Sequence, residues 1–357
     1  MRAAVMRDAE LVVDEVAVPE PDEGEVLVKT LACGICGSDL HTLKYGRQLM
    51  EASEETGGSF VMDLNRDVVM GHEFCAEVLD FGPATERRFQ PGDRVCSIPM
   101  TVYGGQITAV GYSNDRPGGY AENMLLYEPM LLKVPNGLST DLAALTEPMA
   151  VGYHAVQMSG ITADEIPLVI GCGPVGLAVI AALKRRGIAP VIAADFSETR
   201  RMLALSMGAD AVVDPTVNSP YQSWMEAAAS PRSESDPADF LGAATGLRSG
   251  VYFECVGVPG VIDQIMTAAP RGTRIVIVGV CMEHDQIRPL VGINKELNLQ
   301  FVLGYTPEEF AQTLHHIAEG GIDLEPLITG KVGIDGVADA FRALADPEAH
   351  AKILVEP

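Results

Sequence analysis

The sequence of 357 residues predicts an α/β protein of two domains, one rich in short strands and one built on a doubly wound parallel sheet. Three observations carry this. The length exceeds one ordinary small domain and suits two sharing a chain. Up to about residue 135 the apolar residues fall in short β-like runs cut by Gly and Pro, and beyond it strand-like and helical patterns alternate. A Gly-x-Gly-x-x-Gly run joins the first of those later strands to the helix after it.

In chain order, β-like runs stand at 11–18, 25–31, 73–79 and 120–126, separated by turn residues such as Pro19, Pro21, Gly24, Gly92, Gly118 and Gly119. A helical period covers 139–159. Strand 166–170, helix 174–186, strand 190–194, helix 198–207 and strand 211–213 follow, then strands 251–254 and 274–278 around a helix at 261–269. Strands alternating with helices imply βαβ units and a parallel sheet. The polar stretch 214–250 reads as short surface helices and loops. Helices at 307–319 and 336–345 and a strand at 351–355 end the chain.

Asp+Glu number 49 against 25 Lys+Arg, a formal net charge of −24. That argues against a nucleic-acid partner and against docking on anionic lipid. The uncharged run 166–183 has the length of a short span, but Gly171, Gly173, Pro174 and Gly176 break it, so no membrane segment is expected. The first ten residues lack the apolar region of a secretory signal, and seven cysteines show no small-domain disulfide spacing. A cytoplasmic protein is expected.

Gly171-Cys172-Gly173-Pro174-Val175-Gly176 follows a strand and opens a helix. The first Gly permits a tight turn, the second lets backbone approach a pyrophosphate, and the third lets helix and strand pack closely. Asp195 closes the next strand, 19 positions after Gly176, where a carboxylate accepts hydrogen bonds from a ribose and repels a 2′-phosphate. A Rossmann domain binding NAD is the expectation, against the plainer reading of a tight turn between buried elements. Cys36, His72, Glu73 and Glu147 offer thiolate, imidazole and carboxylate, ligand types that suit a catalytic zinc. Buried cysteine, core histidine and a carboxylate at a helix start explain them equally on spacing alone.

Gly34-Ile-Cys36-Gly-Ser38-Asp39-Leu-His41, Gly71-His72-Glu73, Gly92-Asp93-Arg94-Val95, Gly119-Tyr-Ala-Glu122 and Glu147-Pro-Met-Ala-Val-Gly152 occur in this order before the glycine-rich run. The set resembles the zinc-dependent alcohol dehydrogenases of the medium-chain dehydrogenase/reductase superfamily, closest to their polyol and threonine dehydrogenase branch. The resemblance implies a discontinuous GroES-like catalytic domain, 1–155 with 297–357, and a Rossmann domain, 156–296. It makes Cys36 and His72 zinc ligands and Glu147 a third, directly or through water, with Glu73 as an alternative ligand. Asp39 would orient His72, and Ser38 and His41 would relay a proton, where the plain readings are an N-cap serine and a surface histidine. The cofactor would meet Gly171, Gly173, Pro174, Val175, Gly176, Asp195 and Arg200, and also Val256, Val278, Val280 and Leu303.

The resemblance also implies a homodimer or homotetramer, pairing edges near the apolar strand 274–280. Relatives often carry four cysteines around a structural zinc. No cysteine lies between Cys96 and Cys172, so only the catalytic zinc is expected. The stretch 45–67 is longer than usual and is open to two readings, a lid over the substrate and a solvated loop. Thr42 stands where sorbitol dehydrogenases place Tyr, Leu303-Gly304-Tyr305 lacks their Arg, and Cys75 replaces a usual Gly. Together these point away from simple sugar polyols, towards a bulkier or less polar secondary alcohol. The activity implied is reversible, NAD-linked oxidation of that small-molecule alcohol. A zinc-free NADPH reductase of the same superfamily and a non-catalytic protein with this fold are the rivals.

Overall fold

A computed structural model describes residues 1–135, 137–229 and 247–357. It divides the chain into two compact units, Met1–Pro148 with Pro307–Pro357, and Met149–Thr306.

The first unit begins with an antiparallel ribbon, β1 (Arg2–Arg7) and β2 (Glu10–Glu15). Then come β3 (Glu25–Gly34), α1 (Gly37–Thr56), β4 (Glu73–Phe81), β5 (Arg94–Ser97), β6 (Met100–Tyr103), β7 (Gln106–Ala109), β8 (Asn123–Tyr127) and β9 (Leu131–Lys133). The helical period at 139–159 resolves into α2 (Thr140–Ala144), capped by Ser139 Oγ accepting from Leu142 N, and α3 (Thr146–Ser159).

In the second unit, β10 (Ile166–Ile170), α4 (Pro174–Arg185), β11 (Ile192–Ala194), α5 (Glu198–Ser206) and β12 (Ala211–Val213) form two successive βαβ steps. α6 (Pro220–Ala228), β13 (Gly250–Glu254), α7 (Val261–Ala268), β14 (Arg274–Ile277), α8 (Pro289–Lys295) and β15 (Asn298–Phe301) follow. The reading of 214–250 as surface helices and loops meets α6 in its first part, while 230–246 lie outside the described residues. The chain returns to the first unit with α9 (Pro307–Ala318), β16 (Ile328–Val332), α10 (Val337–Leu344) and β17 (Lys352–Val355).

Among the described residues the first unit has a sheet ordered β16-β17-β3-β4-β5-β9, with β8 also paired to β3. Val26, Val28, Met70, Tyr120, Met124 and Val355 are buried in its core. β3 therefore stands at the centre, and the turn after it is where the chemistry collects. The second unit has a parallel sheet ordered β12-β11-β10-β13-β14-β15. Its order reverses between β10 and β13, the switch point at which open α/β sheets bind ligands. Trp224 fills the core against Ile166 and Tyr252, its Nε1 donating to Ile166 O at 2.9 Å.

Three expectations change. Residues 149–155 and 297–306 group with the parallel sheet, not with the β-rich unit. α3 runs unbroken across the first boundary, and β15 pairs with β14 across the second. The sheet edge is β15, so strand 274–277 lies one strand inside it. Residues 45–56 are not loop: α1 continues through a kink at Tyr45 and stops at Gly57, whose φ of 65° is the left-handed conformation that ends helices.

Candidate active site

The turn between β3 and α1 sets the centre. Cys36 is the N-cap of α1, and the Asp39 carboxylate reaches back to accept from Cys36 N at 3.1 Å. Helix start and thiol position are thus one construction. β4 begins at Glu73, directly after His72, and runs antiparallel to β3 with Gly34 opposite Glu73. Any side chain at position 34 would collide with the Glu73 carboxylate, so a glycine there leaves room for it. Ligand atoms of Cys36, His72 and Glu73 all lie within 4.8 Å of one another.

Asp39 is fully buried beneath this cluster. Its Oδ2 accepts from Tyr120 Oη at 2.6 Å, and its Oδ1 accepts from Tyr112 Oη at 3.2 Å. His72 Nδ1 is 3.3 Å from the same Oδ1 but out of hydrogen-bond alignment, which leaves a buried imidazole nitrogen unsatisfied. Burial opposes ionisation of Asp39. The His72 imidazole and the hydrogen bonds around it outweigh burial and hold the carboxyl below its usual range. Burial and the Asp39 charge push the Tyr112 phenol well up, so it keeps its proton. Thiol, imidazole and carboxylate brought this close together form a donor set that fits zinc.

Glu73 has a second tie. Both its oxygens accept from the buried Lys352 Nζ, at 2.8 and 2.6 Å, and the same Nζ donates to Ile35 O at 2.9 Å. Glu147 lies in the first turn of α3 and is not part of the three-residue group, but its charge acts on Lys352. Ser38 is in the first turn of α1 and not at its N-cap; its Oγ is 2.9 Å from Tyr112 Oη. His41 lies further along α1, its ring edge-on to Tyr45 at 6.4 Å. Tyr112 is absent from the sequence reading. Tyr120 stands there only within the Gly119-Tyr-Ala-Glu122 motif, with no role of its own, and Lys352 shows only as a cation opening an otherwise apolar strand.

In the second unit Gly171 has a φ of 92°, and a side chain at Gly176 would strike Gly171 O. This turn therefore needs glycine at both places. Asp195 Oδ2 accepts from Cys172 N at 2.7 Å and Oδ1 from Ser197 N at 2.8 Å, tying the carboxylate to the turn. α4 opens with Pro174 and Val175, presenting its N-terminus beside that turn. The Arg200 guanidinium would stand 3.8 Å from a side-chain carbon at Gly173. Val256, Val278 and Val280, and Leu303 follow the C-terminal ends of β13, β14 and β15, the ligand-binding end of such a sheet. Leu303 is 80% exposed.

Residues 22–136 match the alcohol dehydrogenase GroES-like domain family, and residues 174–319 match the zinc-binding dehydrogenase family. The (R,R)-butanediol dehydrogenase of Bacillus subtilis (strain 168) is 30% identical over 97% of this chain and 96% of its own. The crystal structure of 2R,3R-butanediol dehydrogenase from Bacillus subtilis superposes with a TM-score of 0.79 at 30% identity, covering 100% of this chain and 99% of that one. The L-threonine 3-dehydrogenase of Thermococcus kodakarensis is 31% identical over 94% of this chain and 91% of its own. A zinc-binding dehydrogenase from Sinorhizobium meliloti 1021, solved bound to NADP, has a TM-score of 0.78 at 27% identity, covering 100% of this chain and 99% of that one. Glycine-rich turn, donor cluster and whole-length similarity agree: the chain belongs to the zinc-binding alcohol dehydrogenases of the medium-chain dehydrogenase/reductase superfamily, in their polyol and threonine dehydrogenase branch.

Proposed function

We propose that this protein oxidises a secondary alcohol, bulkier or less polar than a simple sugar polyol, reversibly to its carbonyl compound, using one zinc per chain and NAD in preference to NADP. The observation that carries this is the convergence of Cys36, His72 and Glu73 over the buried Asp39. Cys36 and His72 hold the metal together with Glu147, directly or through water, while Lys352 restrains Glu73 as the alternative ligand. Zinc there supplies Lewis acidity to the alcohol oxygen, and the nicotinamide supplies the hydride acceptor. Asp39 fixes the ring of His72 from below. Ser38 accepts the alcohol's proton and His41 carries it outward.

The NAD preference rests on Asp195, held at the turn by two backbone hydrogen bonds where a 2′-phosphate would meet its charge. No second zinc is proposed, since the β6–β7 hairpin has its own anchor. Glu25 is buried, and its Oε1 accepts from Thr101 Oγ1 at 2.8 Å and from Arg116 Nε at 2.7 Å. The Arg116 guanidinium also covers the Tyr103 ring at 3.7 Å. A homodimer is proposed through the exposed β15 edge and the apolar face of α8, where Leu290 and Ile293 are exposed. The dimer could pair further into a tetramer. A cytoplasmic site is retained as a proposal; among the described residues no helix is long and apolar enough to cross a membrane.

Elemental analysis of protein handled without chelator, joined to an NADH-fluorescence screen over chemically diverse alcohols, tests the proposal. One zinc per chain and turnover of a secondary alcohol are expected. Metal-free protein with full activity would overturn it.

A further inference from the structure

The proton path proposed above requires Ser38 to receive a hydrogen bond from the substrate hydroxyl, and the hydroxyl of a serine rotates freely unless something holds it. Tyr112 Oη is the group beside it, at 2.9 Å from Ser38 Oγ and 3.2 Å from Asp39 Oδ1. The phenol has one proton for two neighbours. Asp39, as a carboxylate, can only accept, and a hydrogen bond to a charged acceptor is about twice as strong as a neutral one. Tyr120 Oη and Cys36 N occupy Oδ2, which leaves Oδ1 to Tyr112 beside the His72 ring. The phenol proton therefore goes to Asp39. What Tyr112 offers Ser38 is a lone pair, so Ser38 must donate to it. With its own proton directed at Tyr112, Ser38 keeps a free lone pair for an incoming hydroxyl.

We propose that Tyr112 is a positioning residue that fixes Ser38 as a hydrogen-bond acceptor towards the alcohol. The phenol is itself held. Its ring packs on Phe60 at 5.0 Å and on His72 at 5.3 Å between centroids, and its backbone carbonyl accepts from Val61 N at 3.1 Å. The stretch after α1 thus clamps Tyr112 from ring and main chain together. Protons balance without a change at the phenol. As the substrate proton moves to Ser38 Oγ, the proton that Ser38 held leaves Tyr112 and is passed on to His41 in the same step, so the serine stays neutral and Tyr112 and Asp39 end as they began. The inference rests on the role of Ser38 proposed above, so the test separates the two.

Tyr112→Phe removes the hydroxyl and keeps the ring. Zinc content by elemental analysis is expected to stay unchanged. The single-turnover rate of hydride transfer is expected to fall about three- to tenfold with KM nearly constant, in line with one neutral hydrogen bond. Calorimetric binding of 2,2,2-trifluoroethanol, which reports on the hydroxyl without turnover, is expected to weaken by a similar factor. Ser38→Ala alone is expected to cost more, and Tyr112→Phe added to Ser38→Ala is expected to cost nothing further. Phe60→Ala, which loosens the phenol but keeps its hydroxyl, is expected to give a smaller loss of the same kind, and stands in if Tyr112→Phe does not fold. Equal losses from Tyr112→Phe with and without Ser38→Ala, or loss of zinc, would overturn the inference. Full activity of Ser38→Ala would overturn the proton path itself and the inference with it.

Discussion

Lys352→Met is the sharpest perturbation the first unit offers. Lys352 and Glu73 are both fully buried and make a pair at 2.6 Å, with a further bond from Nζ to Ile35 O. Methionine fills the space of the lysine stem but leaves the Glu73 carboxylate buried without its cation. Breaking a buried pair from one side costs about 3–5 kcal/mol, mostly the stranded charge. At roughly 2–4 °C per kcal/mol for a unit of this size, the melting midpoint should fall by about 6–20 °C. Burial works against the charged lysine, but the Glu73 charge outweighs it, so the folded pKa lies above the ordinary 10.5. The contribution is then complete below that pH and is lost only as pH rises through the folded value, so the deficit should be flat between pH 6 and 9 on the lysine's side. The assay is thermal unfolding of zinc-stripped protein, which keeps metal linkage out of the midpoint. Lys352→Met combined with Glu73→Leu should recover much of the loss, because an apolar pair replaces both charges. A single-variant cost under about 1 kcal/mol, or a double variant no more stable than the single, would refute the reasoning.

Cys36→Ala should drop zinc from one per chain to near none by elemental analysis, while far-ultraviolet circular dichroism keeps its shape, because the cluster sits on a sheet that does not depend on it. Asp195→Ala should narrow the NAD-over-NADP ratio of kcat/KM by about tenfold or more, by relieving repulsion of the phosphate; an unchanged ratio would assign cofactor choice elsewhere. Light scattering at micromolar concentration should give a dimer or tetramer, and Phe301→Asp, at an edge-strand side chain 62% exposed, should lower the mass to a monomer if β15 pairs.

Much of the parallel-sheet unit is legible in the sequence. Strands 166–170 and 211–213 stand at their expected bounds, and the helix starts at Pro174 and Glu198 coincide with Pro at the first turn and with the Ser197 cap. Fully buried strands read as short apolar runs, and Gly or Pro punctuates them. The first unit is less legible. The β6–β7 hairpin is not among the expected strands; its sequence mark is the Gly104-Gly105 pair between β-branched residues, and both glycines take the positive φ that a tight hairpin turn requires. The second half of α1 falls in the stretch 45–67, whose polar, acidic composition reads as lid or loop rather than as helix. The helix bends at Tyr45 and packs Gly46 against Leu64, and Leu49 through Glu55 are good helix formers.

The site shows why motif residues can be named from sequence while their partners cannot. Cys36 and Asp39 are three positions apart, so a helical turn alone brings them together, and that spacing is visible. Tyr112 carries no local signal, and Tyr120 and Lys352 show only as a motif residue and as a cation in an apolar strand, because a buried tyrosine or lysine looks the same wherever its hydroxyl or amine points. Yet they decide the chemistry. One carboxylate, Asp39, caps the helix that starts at Cys36, receives two phenols and stands under His72. Moving it would shift the thiol, the imidazole and the Ser38 hydroxyl together. A cluster held through a shared acceptor in this way is stiff, and fixed orientation of reacting groups is what a hydride-transfer site needs. The same coupling means that mutations at Asp39 will not divide cleanly into metal loss, proton-path loss and instability, whereas Tyr112, which touches Asp39 through one hydroxyl, isolates the proton path from the other two.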